Sequence, residues 1–334
     1  MDRYARQSVF SHIGKAGQEK LAQARVVIIG MGALGTVSAN CLCRAGVGHI
    51  RMVDRDYVEL TNLQRQMIYT EEDARQSLPK AAAAHAHLSQ VNSDITLEPI
   101  IADANPGNIE HLLEGANLVL DATDNWETRL LINETCHAHS IPWVYCGVLG
   151  AAAMTMNILP GEPCLRCFIG DAGAAPGHSC ATFGVLNMTT NAIASIQAAE
   201  ALKILIGSKD VRRGLLTMDL WSNQIDTIQT RQRPDCPVCA HGRYEYFGHA
   251  TGSYTTALCG GNSVQVAPAV PTKIDFDALA EKLRPAGQVR QTPFSLIFSN
   301  NKHEITLFAD GRALIKNAES ESHAKSLYAE YIGL

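Results

Sequence analysis

Short runs of β-branched and aliphatic residues alternate with stretches of helical periodicity over the first part of the chain. The run Val26–Ile29 reads VVII, an apolar helical stretch covers 36–45, and a second run covers 49–53. Strands that are apolar throughout suit burial on both faces, as in a parallel sheet with helices on each side. The same patterns predict a helix over 80–92 and strands at 94–101, 117–120, 141–146 and 154–159.

The pattern changes after the middle of the chain. An apolar helix is predicted over 186–206, and residues 215–220 and 224–229 form a predicted hairpin. The fold class is therefore α/β, a Rossmann-like domain whose mostly parallel sheet continues into an antiparallel region. We expect this domain to cover residues 1–240. Residues 241–271 are rich in Gly, Ser, Thr and Pro and are interpreted as a linker, and 272–334 as a small α+β module.

Three glycines separate the first strand from the first apolar helix. Gly30, Gly32 and Gly35 have G-x-G-x-x-G spacing, which lets backbone N–H groups approach phosphate oxygens at a helix N-terminus. Asp54 ends the second strand, where an acidic side chain can bind ribose hydroxyls. Because strand, helix, second strand and acid occur in register, the sequence predicts a nucleotide site.

Polar residues after the second strand indicate how the nucleotide is used. Asn62, Arg65 and Gln66 lie in the run ELTNLQRQ, and an arginine there suits a triphosphate, although a solvated loop is the alternative. Lys80 follows Pro79 in the first turn of a predicted helix. That position opposes the helix dipole, so the ammonium is expected to bind phosphate unless it is an ordinary surface lysine.

An acidic cluster, DATDN, follows the strand at 117–120. Such a cluster at the carboxyl edge of a parallel strand faces the ligand crevice. Asp124 is the candidate Mg²⁺ ligand, with helix capping as the alternative, whereas Asp121 is expected to cap or to pack.

Two C-x-x-C pairs, Cys164 with Cys167 and Cys236 with Cys239, offer four thiolates for a tetrahedral, structural Zn²⁺. Unrelated thiol pairs or a redox motif are the alternatives. Cys180 stands outside both pairs and is either a reactive thiol or an inert small residue.

Composition limits the function classes. The chain has 334 residues, 46% of them hydrophobic, and a formal charge of −5, with no basic tract, so a nucleic-acid partner is not expected. No apolar run is long enough to predict a membrane helix, and the N-terminus lacks an apolar signal core. We expect a cytosolic protein whose cysteines serve metal or thiol chemistry.

The motifs GMGALG, LTNLQRQ, LPK and DATDN, followed by the paired C-x-x-C motifs, resemble the ubiquitin-activating-enzyme-like adenylyltransferases of the bacterial ThiF/MoeB (HesA) branch. The resemblance runs from about Arg3 to Ala240, and the tail is similar to the extension of longer members. It implies ATP-dependent adenylation of the C-terminal Gly carboxylate of a ThiS- or MoaD-like sulfur-carrier protein, for thiazole or molybdopterin synthesis. A cysteine desulfurase or another sulfur donor is a further implied partner.

The resemblance also assigns residues. It implies that Arg6 enters the partner's site in a homodimer, that Cys180 joins the carrier covalently, and that the four paired cysteines bind zinc. The alternatives are an NAD-dependent oxidoreductase, which leaves Arg65 and Lys80 unexplained, and a same-family enzyme acting on a peptide or a tRNA base. The ATP–Mg²⁺ site is expected to comprise Gly30, Gly32, Gly35, Asp54, Asp56, Asn62, Arg65, Gln66, Lys80 and Asp124.

Overall fold

The computed structural model describes residues 3–170, 184–248, 254–257, 263–268, 272, 274–300 and 302–333. They fall into two compact units, Met1–His249 and Ala250–Leu334. The first unit thus extends past residue 240, where the sequence analysis placed its end.

The first unit contains the predicted alternation of strands and helices. In chain order its elements are α1 (Ala5–Val9), α2 (Gly14–Gln23), β1 (Arg25–Ile29), α3 (Ala33–Ala45), β2 (His49–Asp54), a 3-10 turn (Leu60–Asn62), α4 (Glu71–Gln76), α5 (Lys80–Val91), β3 (Thr96–Ile101), α6 (Ile109–Leu113), β4 (Leu118–Asp121), α7 (Trp126–Ala138), β5 (Trp143–Leu149), β6 (Ala152–Ile158), α8 (Leu165–Ile169), α9 (Asn187–Ile206), β7 (Leu215–Asp219) and β8 (Gln224–Ile228).

One sheet runs through this unit in the order β3-β2-β1-β4-β5-β6-β7-β8. The pairs from β3 to β5 are parallel, and those from β5 to β8 are antiparallel, as the sequence analysis predicted. The chain leaves β1 toward β2 on one side and returns to β4 on the other. Ligands of open α/β sheets bind at such a switch point, outside the carboxyl ends of the strands.

The sheet separates two hydrophobic cores. Val26 and Ile28 of β1 pack into the core on one face, which includes residues of α3 and α9, whereas Val27 and Ile29 face the other core, which includes residues of α6 and α7. Burial on both faces is the reason for the continuous apolar run of β1. Among the described residues, no helix is long and apolar enough to cross a membrane.

The second unit is a mixed α+β module. Its elements are β9 (Tyr254–Ala257), β10 (Ser263–Ala267), α10 (Phe276–Leu283), β11 (Gln288–Gln291), β12 (Ser295–Ser299), β13 (Glu304–Phe308), β14 (Ala313–Lys316) and α11 (Glu321–Tyr331). Its antiparallel sheet has the order β11-β12-β13-β14-β10-β9. The interpretation of 241–271 as a linker was wrong for 254–257 and 263–267, which are strands of this sheet.

Candidate active site

The glycine turn between β1 and α3 is shaped by close backbone packing. Gly30 has a φ of +96°, and a Cβ on it would lie 2.6 Å from the carbonyl oxygen of Ala122. A Cβ on Gly35 would lie 1.9 Å from the carbonyl oxygen of Gly30. A Cβ on Gly32, by contrast, would meet only the Gln66 amide nitrogen, at 3.8 Å. The protein's own packing therefore requires the first and third glycines, and the middle one leaves open space at the start of α3.

Asp54 braces this turn from the end of β2. Its Oδ2 accepts a hydrogen bond from the Met31 N–H at 2.6 Å, and its Oδ1 accepts one from the Asp56 N–H at 2.7 Å. The residue is 9% exposed, and burial raises the pKa of its carboxyl group, an effect that the nearby charge of Lys80 opposes. A carboxylate has about four acceptor positions, so Asp54 keeps capacity for ligand hydroxyls.

Lys80 begins α5, and its buried side chain points to the same edge of the sheet. Its Nζ lies 3.2 Å from Asp56 Oδ2. Burial by itself lowers the pKa of Lys80, but the charges of Asp56 and Asp54 outweigh it and raise the pKa above its usual value. The hydroxyl of Tyr69 lies 2.7 Å from the Met31 carbonyl oxygen and 3.1 Å from that of Lys80. Tyr69, which the sequence analysis missed, thus joins the glycine turn to α5.

The polar run after β2 folds into the 3-10 turn. The buried side chain of Asn62 accepts a hydrogen bond from the Glu59 N–H at 3.0 Å, which fixes the turn. Arg65 is half-buried and donates to the Thr61 carbonyl oxygen at 3.0 Å. Gln66 is 4% exposed, and its Oε1 has no hydrogen-bond partner among the described residues. A buried acceptor without a partner is costly unless a ligand or water supplies a donor.

Of the two roles expected for Asp121, capping or packing, the structure shows packing. It is fully buried, it accepts hydrogen bonds from the N–H and hydroxyl of Thr123 at 2.9 and 2.6 Å, and it pairs with Arg129 at 3.2 Å. Helix α7 is capped instead by Asn125, whose side chain accepts from the Thr128 N–H at 2.9 Å. Asp121 therefore holds the loop after β4 in place from its buried side.

Asp124 projects from that loop and is exposed. Its carboxylate accepts no hydrogen bond from any residue that the structure describes, so it does not cap α7. Burial alone would lower the pKa of Lys80 and of Arg55. Nearby carboxylates, Asp124 among them, raise both pKa values above their usual values. The carboxylate is thus close to two cations and keeps its acceptor sites open. Arg55, also missed from the sequence, pairs with Asp103 at 3.0 Å.

The single chain does not test the predictions for Arg6, assigned to the partner's site, and for Cys180. Arg6 is exposed on α1, a helix with no buried residues, and no hydrogen bond or ion pair joins it to another described residue. Its neighbours Val9 and Phe10 are 83% and 57% exposed. Cys180 lies outside the described residues.

The two C-x-x-C pairs come together in the folded chain. Their four sulfur atoms lie within 4.8 Å of one another, with 3.6 Å between Cys164 and Cys236 and 3.3 Å between Cys167 and Cys239. Zn–S bonds of about 2.3 Å in a tetrahedron place sulfurs about 3.8 Å apart. The four cysteines therefore fit Zn²⁺, and four-thiolate coordination leaves no open position for catalysis.

Known proteins are similar to this chain in sequence over its whole length. A model described as the ThiF family matches residues 4–238. The chain is 39% identical to the sulfur carrier protein ThiS adenylyltransferase of Bacillus subtilis (strain 168), over 99% of each chain. It is 36% identical to the SAMP-activating enzyme E1 of Haloferax volcanii, over 72% of this chain and 90% of that one. It is also 36% identical to the ThiS adenylyltransferase of Escherichia coli (strain K12), over 71% and 94% of the two chains.

Solved structures share the fold over about three quarters of this chain. A crystal structure of E. coli MccB with ATP superposes with a TM-score of 0.63 and 22% identity, covering 72% of this chain and 75% of that one. The structure of MccB determined without a named ligand gives a TM-score of 0.64 at 21% identity, covering 75% and 76%. At this identity the similarity concerns the fold alone.

Proposed function

Because the chain belongs to the ThiF family, we propose that it adenylates the C-terminal glycine carboxylate of a small ubiquitin-like sulfur-carrier protein. The observation that carries this proposal is the similarity to a ThiS adenylyltransferase over 99% of both chains, second unit included. A ThiS-like carrier, and with it thiazole synthesis, is therefore our first choice. A MoaD-like carrier is the second candidate. An NAD-dependent oxidoreductase is no longer favoured, since the relatives are adenylyltransferases.

We assign the nucleotide to the edge where β1, β2 and β4 end. The triphosphate would lie against Gly32 and the first turn of α3, where free backbone N–H groups favour anions. The ribose hydroxyls would donate to Asp54, and the unpartnered Oε1 of Gln66 is a further acceptor. Lys80 and Arg65 would donate to phosphate oxygens. Asp124 would hold Mg²⁺, whose charge offsets that of the triphosphate.

The carrier needs no general base. A C-terminal carboxyl group has a pKa of about 3.5, so at neutral pH it is already the nucleophile. The obstacle is repulsion, since two unit charges 4 Å apart interact by about 4 kcal/mol at an effective dielectric constant of about 20. Lys80 and Arg65 lower this barrier. The carboxylate oxygen then bonds to the α-phosphorus as the α–β phosphoanhydride bond breaks, and pyrophosphate leaves an acyl-adenylate.

We further propose a homodimer in which Arg6 of one chain completes the site of the other. Helix α1 has no buried residues, and its last residue, Val9, and the next residue, Phe10, are exposed and apolar, which supports a contact beyond the single chain. In the sulfur-transfer step, Cys180 would attack the acyl-adenylate and release AMP, and a cysteine desulfurase or another donor would supply the sulfur.

Intact-mass spectrometry of purified carriers tests the adenylation. A ThiS-like and a MoaD-like protein, both ending in Gly-Gly, are each incubated with the enzyme and ATP–Mg²⁺. The expected result is an AMP adduct on the ThiS-like protein that is absent when its last glycine is deleted. An adduct on the MoaD-like protein alone would move the assignment to molybdopterin synthesis. Adducts on neither carrier would refute the proposal.

Exchange of labelled pyrophosphate into ATP separates the two chemical steps. Asp124→Ala should nearly abolish carrier-dependent exchange, and unchanged exchange would remove Asp124 from the mechanism. Cys180→Ala should leave exchange intact and lose only the covalent adduct with the carrier. A loss of exchange in this variant would instead place Cys180 in adenylation or in folding.

Mixing two inactive variants tests the homodimer. Arg6→Ala chains keep Lys80, and Lys80→Ala chains keep Arg6, so a mixed dimer has one intact site if Arg6 acts across the interface. Random mixing in a two-fold dimer should restore about one quarter of wild-type exchange. Action within one chain predicts no restoration.

A further inference from the structure

Arg129 is a buried cation beneath the loop that carries Asp124. Its Nε donates to Asp121 Oδ2 at 3.2 Å, and its Nη2 donates to the Thr123 carbonyl oxygen at 2.6 Å. The same Nη2 lies 3.2 Å from the carbonyl oxygen of Cys146. One guanidinium thus connects the end of β4, the residue just before Asp124, and β5.

Two aromatic rings restrict the plane of this guanidinium. Its central carbon lies 5.2 Å from the ring centroid of Trp126 and 5.3 Å from that of Tyr145. The two rings are stacked with their centroids 6.3 Å apart. Arginine can stack its planar cation on aromatic rings while it donates from two nitrogens, and lysine cannot.

The position of the loop around Asp124 depends on the Arg129 guanidinium. Asp124 is exposed, and no described residue donates a hydrogen bond to its carboxylate. Its position is therefore set by the backbone on either side. Arg129 donates to the carbonyl oxygen of the preceding residue, Thr123, and on the other side Asn125 caps α7 by accepting from the Thr128 N–H.

We propose that Arg129 is a positioning residue that holds the Asp124 carboxylate where it binds the divalent cation. This inference rests on the proposed function, because it takes Asp124 as the metal ligand. Asp121 neutralises Arg129, so the pair adds no net charge to the site, and the effect of Arg129 is geometric. Groups that orient metal ligands typically change metal affinity by about 10–100-fold when they are replaced.

The test measures metal binding without turnover. Mn²⁺ is the probe, and its free concentration is followed by electron paramagnetic resonance with and without the α,β-methylene analogue of ATP. In wild-type protein the analogue should create a Mn²⁺ site that Asp124→Asn removes. Arg129→Lys should weaken that site by about 10-fold or more while metal-free binding of the analogue stays unchanged.

A second buried arginine provides the matched control. Arg51 pairs with Glu98 at 2.9 Å and donates to the Leu112 carbonyl oxygen at 2.7 Å, on the face of β2 toward α6. Arg51→Lys removes the same kind of contacts outside the candidate site. It should lower the thermal midpoint and leave Mn²⁺ binding at its wild-type value.

A neutral double variant covers the case in which Arg129→Lys does not fold. Asp121→Asn/Arg129→Gln removes both buried charges together, so no unpaired charge is left behind, but the shorter amide loses the link to Thr123. It should show the same weakened Mn²⁺ site. Wild-type Mn²⁺ affinity in either Arg129 variant, or equal weakening in Arg51→Lys, would overturn the inference. If wild-type protein shows no nucleotide-dependent site, or Asp124→Asn retains it, the metal assignment itself fails and the inference with it.

Discussion

Alanine at the middle glycine of the turn should separate nucleotide binding from folding. In Gly32→Ala, the nearest protein atom to the new Cβ is the Gln66 amide nitrogen, at 3.8 Å, which is an ordinary contact. The φ of Gly32 is −83°, outside the positive range that favours glycine. We therefore expect a folded protein in which a methyl group occupies the space assigned to phosphate.

The magnitudes differ for the neighbouring glycine. Gly32→Ala should change the free energy of unfolding by less than about 1 kcal/mol, with a stabilising contribution from the restricted unfolded chain. In Gly35→Ala the Cβ would lie 1.9 Å from the Gly30 carbonyl oxygen, so α3 must move away from β1. Overpacking of this kind costs about 1–3 kcal/mol or more. For ATP, losing one hydrogen bond to a charged phosphate costs about 1.5–3 kcal/mol, or about 10–100-fold in Kd.

Urea unfolding and calorimetric titration with ATP–Mg²⁺ measure the two effects on the same samples. The expected pattern is wild-type stability with weakened ATP binding in Gly32→Ala, and reduced stability in Gly35→Ala. If Gly32→Ala binds ATP with wild-type affinity, the triphosphate does not lie against this glycine, and the placement of the nucleotide is wrong.

Three further predictions concern protonation, zinc and the end of the first unit. Burial by itself lowers the pKa of Lys80, but Asp56 and Asp54 raise the pKa above its usual value, so this lysine keeps its charge to higher pH than a free lysine does. Asp56→Asn removes one raising charge, and the alkaline fall in ATP binding should then begin at lower pH; an unmoved curve would contradict the pairing. Removing zinc with a chelator, or by Cys236→Ser, should lower the thermal midpoint while the folded fraction binds ATP normally, and altered ATP affinity would show that the metal acts on the nucleotide site. Glu134, 2% exposed, accepts three backbone N–H bonds from residues 245–247 at 2.7–3.0 Å. Glu134→Gln should therefore reduce the free energy of unfolding by about 1–3 kcal/mol in urea titrations, and wild-type stability would show that the charge is dispensable.

Features set by local sequence could be predicted. The strand β1 was recognisable because it is buried on both faces and is apolar throughout. The first and third glycines were recognisable because only glycine tolerates the contacts with Ala122 and with the Gly30 carbonyl oxygen. The cysteine pairs were recognisable because each forms a tight turn with the spacing of zinc ligands.

Features set by contacts distant in sequence could not be predicted. Arg129 and Tyr69 have no motif, and their roles follow from carbonyl oxygens that approach them only in the folded chain. Strand β10 was missed because residues 241–271 have few periodic apolar positions, and Val264 becomes part of a strand by pairing with Ile315 of β14. Strand β11 is a short, polar edge strand without a buried residue, so it gave no hydrophobic signal.

Charge balance links the metal, the second chain and the nucleotide. Lys80 is paired with Asp56 and Arg55 with Asp103, so both cations already have partners before a nucleotide binds. A triphosphate and a carboxylate add several negative charges to this edge, each close pair costing about 4 kcal/mol at an effective dielectric constant of about 20. Among the described cations assigned to this edge, Arg65 is the one without a carboxylate partner, so a single chain offers little unpaired positive charge to the two anions. Mg²⁺ at Asp124 and an arginine from a second chain would meet the same electrostatic need, so the proposed metal site and the proposed dimer serve one requirement of the adenylation.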